Sequence, residues 1–277
     1  MTTTEHTHHH AAEAPASSAA PGHHRRGPAK GVQSVKFSFF RLDRAARRLP
    51  EAERAALGEA LTNLLDQSTQ SMLTRAYTTV GTRADVDVVL WQVHDELPVI
   101  TDWHEALRRS PLGAWLEEPH SYLSMTMRSQ YNNDWHEGVE KRERLRLDGG
   151  VDKYLFVYPM AKTRAWYALP ADERQRMMDE HIAIGHKYHS IKINTTYSYG
   201  LDDQEFVVAF EGDDPGEFLA LVRELRDSEA SSYTLFDTPM FTCRRLGLGD
   251  VAPLLGLGDV APLVSDLGDA AAAGSAE

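Results

Sequence analysis

Cysteine is almost absent from this chain: Cys243 is the one example among 277 residues. A single thiol excludes an internal disulfide, a cysteine-based zinc site and a covalent c-type haem, which needs a Cys-x-x-Cys-His run. Basic charge is also scarce. Lys and Arg number 29 against 41 Asp and Glu, for a net charge of -12. Phosphate backbones and anionic lipid surfaces are bound by clustered cations, so neither nucleic acid nor membrane is expected as the main partner. No apolar run reaches the about 18 residues of a membrane span. The first residues lack the apolar core of a signal peptide, so the expected compartment is the cytoplasm.

What is present is ordinary for a globular core: 42% hydrophobic and 25% charged residues. The two ends differ from it. Residues 1–32 are rich in Ala, Pro, His, Ser and Thr, and include His6, His8, His9, His10, His23 and His24. Such a segment buries too little apolar surface to offset its ordering entropy, so it is expected to be a disordered, solvated tail that could hold a metal only loosely. Residues 246–277 are Gly, Ala, Asp and Leu, with LGLGDVAPL written twice, at 246–254 and 255–263. This stretch is also expected to be disordered. The tandem is either a slipped duplication or a docking peptide, broadly similar to peptides that load cargo into protein nanocompartments.

The body between the tails is duplicated. Leu49-Pro50-Glu51-Ala52-Glu53-Arg54 returns as Leu169-Pro170-Ala171-Asp172-Glu173-Arg174, an offset of 120 residues. Gly81 followed by a run to Val88-Val89-Leu90-Trp91 returns as Gly200 followed by Val207-Val208-Ala209-Phe210. Hydrophobic periodicity predicts strands over 35–42, 72–80, 86–93 and 122–128, with helices opened by Pro50 and Pro98. The second copy predicts strands over 153–160, 191–199, 205–211 and 233–243, with helices opened by Pro170 and Pro215. Each copy therefore reads β-α-β-β-α-β, a ferredoxin-like repeat, over 33–131 and 151–245. The polar stretch 132–150 reads as a linker. The fold class is α+β, with two such sheets burying their open faces against each other or curling into a barrel.

The copies differ where chemistry would sit. Leu61 in the first becomes His181 in the second, on a helix face with Met177, Ile184 and Tyr188. A core histidine satisfied by a backbone carbonyl fits that pattern, and so does an iron ligand. The second reading gains from Glu229 at the end of the next helix, since a carboxylate commonly holds the far nitrogen of a ligating imidazole. One neutral imidazole without a second ligand nearby suits haem iron better than zinc. Tyr158, Met160 and Lys162 alternate along a strand and so share a face, which suits an amphipathic macrocycle carrying carboxylates.

YPMAK at 158–162, Trp166-Tyr167, Glu180-His181 and GLDDQEFVVAFE at 200–211 together resemble the chlorite dismutase family, over about residues 33–245. The YPMAK string is similar to that of its coproheme decarboxylases. The resemblance implies a dimeric α+β barrel made of the two repeats, usually in a homopentamer, with the porphyrin in the second repeat only. It implies His181 as the iron ligand and Glu229 as its hydrogen-bond partner. Tyr158 would form the radical that starts propionate decarboxylation, with Lys162 beside it in the catalytic set. Met160, Trp166 and Ser231 would line the porphyrin and its propionates. Asn194 stands thirteen residues after His181, where such decarboxylases often carry glutamine and chlorite dismutases arginine. The implied activity is peroxide-dependent conversion of iron-coproporphyrin III, both substrate and redox centre, to haem b. This is the last step of coproporphyrin-dependent haem biosynthesis, with a transient ferrochelatase contact. The alternatives are a haem b enzyme acting on chlorite or peroxide, or a haem-binding cargo protein whose C-terminal tail meets a nanocompartment shell.

Overall fold

The structure, a computed structural model, describes residues 32–131, 145 and 152–258. All but the last residue of the tail expected at 1–32, almost all of the linker expected at 132–150, and the stretch after 258 lie outside the described residues. The first repeat runs β1 (Ser34–Leu42), α1 (Glu51–Ser71), β2 (Leu73–Thr78), β3 (Val88–His94), α2 (Leu97–Arg109) and β4 (Leu116–Met125). The second runs β5 (Tyr154–Lys162), α3 (Arg164–Ala168), α4 (Ala171–Gly185), β6 (Lys192–Tyr197), β7 (Phe206–Gly212), α5 (Pro215–Asp227), β8 (Thr234–Phe236) and β9 (Phe241–Leu246). The order expected from sequence is present in both copies. The strand expected over 122–128 begins earlier, at Leu116, and the one expected over 233–243 is broken in two around Asp237–Met240.

All nine strands join one sheet in the order β7-β6-β4-β1-β3-β2-β9-β5-β8, and β7 also pairs β5, so the ladder returns to its start as a ring. The repeats therefore meet twice, at β4–β6 and β2–β9. Strand alternation sends Val35, Phe37, Phe39, Val89, Trp91, Val93, Leu155, Val157, Val207 and Ala209 inward, into one core inside the ring. An Arg75–Glu211 ion pair, 4% and 1% exposed, spans the two repeats within it. The alternate residues point outward, under the helices. That two-sided burial explains why β3 reads as a nearly continuous apolar run rather than an alternating one. In both repeats a glycine in the left-handed region turns the chain before the third strand, Gly81 at φ 89° and Gly200 at φ 71°.

Outside the ring, α1 and α2 cover the first repeat with Leu57, Leu61, Leu64, Leu65, Ile100 and Trp103. The Trp103 indole N–H donates to the Leu64 carbonyl at 2.7 Å and locks the pair of helices. Here the expectation of a disordered tail from 246 is corrected. Leu246 pairs with Ala76 at the end of β9, and the next residues form a short turn and α6 (Val251–Leu254). Val251, Ala252, Leu255 and Leu257 are buried against α1 and the sheet. Gly58 of α1 makes room for them: a Cβ there would stand 3.0 Å from the Leu257 carbonyl carbon. Arg54 Nη1 donates to the Gly256 carbonyl at 3.2 Å. Composition suggested disorder because Gly and Pro disfavour a regular element, but four apolar side chains with a groove to fill outweigh that cost.

The first LGLGDVAPL copy and the opening Leu255-Gly256-Leu257 of the second are thus packed on the first repeat's core and unavailable to a shell or other partner. Removing residues 246–277 is expected to lower the folding free energy by about 5 kcal/mol, as three large buried side chains lose about 1.5–3 kcal/mol each. Urea unfolding of the truncated chain checks this, and an unchanged midpoint would show that the segment only rests on the surface.

Candidate functional site

Helix α4 carries the sequence difference between the two repeats. Pro170 precedes it, and Asp172 and Glu173 sit in its first turn, where the helix dipole favours acidic groups. Met177 and Ile184 are buried, and His181 lies between them, half-buried, on the face turned to the sheet. In the first repeat the equivalent Leu61 is 3% exposed and packs with Val251 and Leu255, leaving a void of only about 10 Å³. One repeat is filled with hydrocarbon. The other presents an imidazole.

Burial, with the Lys162 charge adding to it, lowers the His181 pKa to about 4, so the ring is neutral at pH 7. Its Nδ1 lies 3.4 Å from Ser228 Oγ. The Ser228 hydroxyl donates its proton to the Leu225 carbonyl at 2.7 Å, so toward the ring it acts as acceptor. That bond assigns the proton to Nδ1 and leaves the Nε2 lone pair open.

Glu229, expected to hold His181, does not do so. Its carboxylate pairs with Arg176 at 2.8 Å on the surface, with both side chains about half exposed. The reason is local. A 3-10 turn begins at Glu229 with Ser228 as its cap, so the two neighbours point opposite ways, Ser228 inward and Glu229 out. The sequence held the right segment and the wrong residue of it.

Strand β5 supplies the facing wall. It pairs β7 from Tyr154↔Gly212 to Met160↔Phe206. Tyr158 is 8% exposed, stacks on Phe210 with centroids 6.1 Å apart, and shares a cluster with Ile184 of α4. Burial, with Asp237 adding to it, pushes the phenol pKa well up, so it keeps its proton. Met160 is half-buried against the same cluster. Lys162, also 8% exposed, donates from Nζ to the Ala230 carbonyl at 2.6 Å and lies 4.9 Å above the Trp166 ring. Burial pulls its pKa down to about 8, against the raising effect of Glu205, so it is mostly cationic at pH 7. Trp166 is buried with Met177 and Ala230. Ser231 sits half-buried in the 229–233 turn, its backbone N–H donating to the Ser228 carbonyl at 3.0 Å. An open cleft of about 440 Å³ adjoins Lys162, lined also by Tyr199, Gln204, Glu205 and Leu235.

Asn194 does not belong to this set. It pairs with Ala209, whose side chain lies in the ring's interior, and directly opposed residues share a face. Its amide accordingly donates inward to Glu211 Oε2 at 3.1 Å. The residue turned to the helix side is its neighbour Ile193, which opposes Phe210 and is 47% exposed. Ile193 Cδ1 lies 3.5 Å from the Cβ position of Gly185, one turn beyond His181. Counting thirteen residues from the histidine therefore lands one position off, and on a strand one position is the other face.

Among the described residues no cluster of three or more His, Cys, Asp or Glu could hold a metal ion. One neutral imidazole with an open lone pair, apolar walls, a protonated phenol and a buried ammonium fit an iron porphyrin, whose macrocycle supplies the other ligands. His181 would hold the iron, Met160, Trp166 and Ile193 would border the ring, and Lys162 would meet a propionate.

Fold and site together define a protein class: two ferredoxin-like repeats whose strands form one ring, with a half-buried histidine, His181, on the sheet-facing side of α4 in the second repeat. A family model described as chlorite dismutase matches residues 54–246, and the chain belongs to that family. It is 27% identical over 219 residues to a coproheme decarboxylase of Mycolicibacterium smegmatis, covering 78% of this chain and 91% of that protein. It is 32% identical over 166 residues to a coproheme decarboxylase of Staphylococcus carnosus, covering 56% and 66%. A mutant chlorite dismutase of Candidatus Nitrospira defluvii has the same fold, with a TM-score of 0.74 at 22% identity over 82% of this chain and 96% of the other.

Proposed function

We propose that this protein is a coproheme decarboxylase, converting iron-coproporphyrin III to haem b with hydrogen peroxide. The observation that carries the reading is the pairing of a buried phenol and a buried ammonium on β5 with the open imidazole of α4. The ring of strands supports a dimeric α+β barrel. Assembly into a homopentamer and a ferrochelatase contact follow from the resemblance alone, and a shell contact through the C-terminal tail from its likeness to cargo peptides.

The iron porphyrin, when bound, supplies the oxidising power of its reaction with peroxide. The chain's residues do the rest. His181 presents Nε2 to the iron, and the Ser228 contact fixes the ring's tautomer and orientation. Lys162 offers a fixed positive charge to one propionate carboxylate. Tyr158 gives up an electron and its phenolic proton. The phenoxyl oxygen so formed would take a hydrogen atom from a propionate, and the carbon radical would give up a second electron as carbon dioxide leaves and a vinyl group remains, the two electrons together reducing one hydrogen peroxide to water. A phenol held protonated in a dry cluster suits that role, because its proton departs only with the electron. Mass spectrometry of the bound porphyrin before and after peroxide tests the reading. Two successive losses of formic acid equivalents (carbon dioxide with two hydrogens) are expected, and an intact tetracarboxylate would refute it.

Sustained chlorite dismutation is not expected. Ile193 offers no donor to an anion beside the iron, and Asn194 is turned into the ring. A charged donor in a dry site holds an anion by about 1.5–3 kcal/mol, and an alkyl group supplies none of it. With chlorite and the haem b form, an oxygen electrode should record a brief burst while the Soret band bleaches. Steady release over thousands of turnovers would instead favour the chlorite reading.

A further inference from the structure

We propose that Glu205 is a positioning residue for this site, its carboxylate fixing the end of β5 and thereby aiming the Lys162 side chain. The proposal rests on the porphyrin reading only for the ligand that Lys162 meets. On its β7 side the ladder around β5 gives out before Lys162, while on the other side β8 still pairs Lys162 with Thr234. Pairing with β9 stops at Val157↔Phe241 and pairing with β7 at Met160↔Phe206, while pairing with β8 shifts register between Ala161 and Lys162. A buried backbone N–H at such a point needs an acceptor from elsewhere. Glu205 Oε2 takes the Lys162 N–H at 2.8 Å.

The same oxygen takes the Tyr167 hydroxyl proton at 2.6 Å, which ties the strand end to α3. From its own backbone, Glu205 donates to the Met160 carbonyl at 3.1 Å. One residue thus grips the strand at Met160 and at Lys162, the two side chains that border the porphyrin space. Bonds to a carboxylate are shorter and stronger than neutral ones, so this anchor is firmer than the ladder bond it replaces. The geometry also puts a negative charge near the ammonium without a direct contact, leaving Nζ free to reach the Ala230 carbonyl or a ligand carboxylate.

The first test needs no porphyrin. Amide hydrogen exchange at Lys162 in the full chain, as purified without added ligand, should speed up about tenfold in Glu205→Gln, the loss expected for one charged hydrogen bond. The second test is affinity for iron-coproporphyrin III, expected to fall about tenfold in the same variant. In a double-mutant cycle, Glu205→Gln added to Lys162→Met should cost no more than about a further twofold, because the carboxylate acts through the lysine. Tyr167→Phe, which leaves the Glu205–Lys162 bond intact, should change Lys162 exchange by less than about twofold. Should the glutamine variant not fold, Glu205→Asp withdraws the oxygen by one methylene and is expected to give at least about a threefold loss in both measurements. Unchanged Lys162 exchange, or losses that multiply in the cycle, would overturn the proposal. A wild-type chain that does not bind iron-coproporphyrin III would sink the porphyrin reading while the exchange measurement still decided the clamp.

Discussion

His181→Ala is expected to abolish axial coordination of an iron porphyrin. The helix face would keep its apolar neighbours Met177 and Ile184, so the fold should survive with a small cavity where the ring had been. Removing the one nitrogen ligand should weaken iron-porphyrin binding at least about a hundredfold, about 2.7 kcal/mol, and shift the Soret band to that of a weakly ligated iron. Free imidazole added to the variant should restore part of the band by filling the cavity. Ser228→Ala is the milder companion. It keeps the ligand but removes the oxygen 3.4 Å from Nδ1, and a loss of about tenfold in affinity is typical for such an orienting partner. If His181→Ala retains the wild-type spectrum, the iron is held elsewhere and the assignment fails.

Tyr158→Phe separates packing from chemistry. The ring volume and the stack on Phe210 are kept, and only the hydroxyl goes. Porphyrin affinity should change by less than about threefold, since the lost group makes no charged contact. Peroxide should then give almost no decarboxylated product, a fall of at least about a thousandfold in rate, equivalent to about 4 kcal/mol of barrier. The readout is the ratio of tetracarboxylate to dicarboxylate porphyrin after a fixed peroxide dose. Conversion at the wild-type rate would mean that the phenol is only a wall, and that hydrogen abstraction starts from another group.

Much of this protein was legible before any coordinates. The offset between Leu49-Pro50 and Leu169-Pro170 gave two copies of one unit, and strand and helix periods gave its β-α-β-β-α-β order. The exchange of Leu61 for His181 pointed to the repeat in which the candidate site is built. These features are local or periodic, and the physics that produces them acts over a few residues: side-chain alternation, dipoles at helix starts, and proline at the first turn.

Other decisions needed the third dimension. That β5 pairs both β9 and β7, closing the ladder, is a matter of which distant edges meet. The choice of Ser228 over Glu229 beside His181 was made by one short turn, and the choice of Ile193 over Asn194 by the register of β6 against β7. Neighbours in sequence point to opposite sides there, so a shift of one residue exchanges a ligand's surroundings for a core contact. The segment after Leu246 shows the same limit from another direction. Its glycines and prolines predict disorder when read along the chain, yet Val251, Leu255 and Leu257 fill a groove built by α1, nearly two hundred residues away in sequence. Whether an apolar side chain is ordered depends on the surface that meets it, and that surface exists only once the repeats have folded.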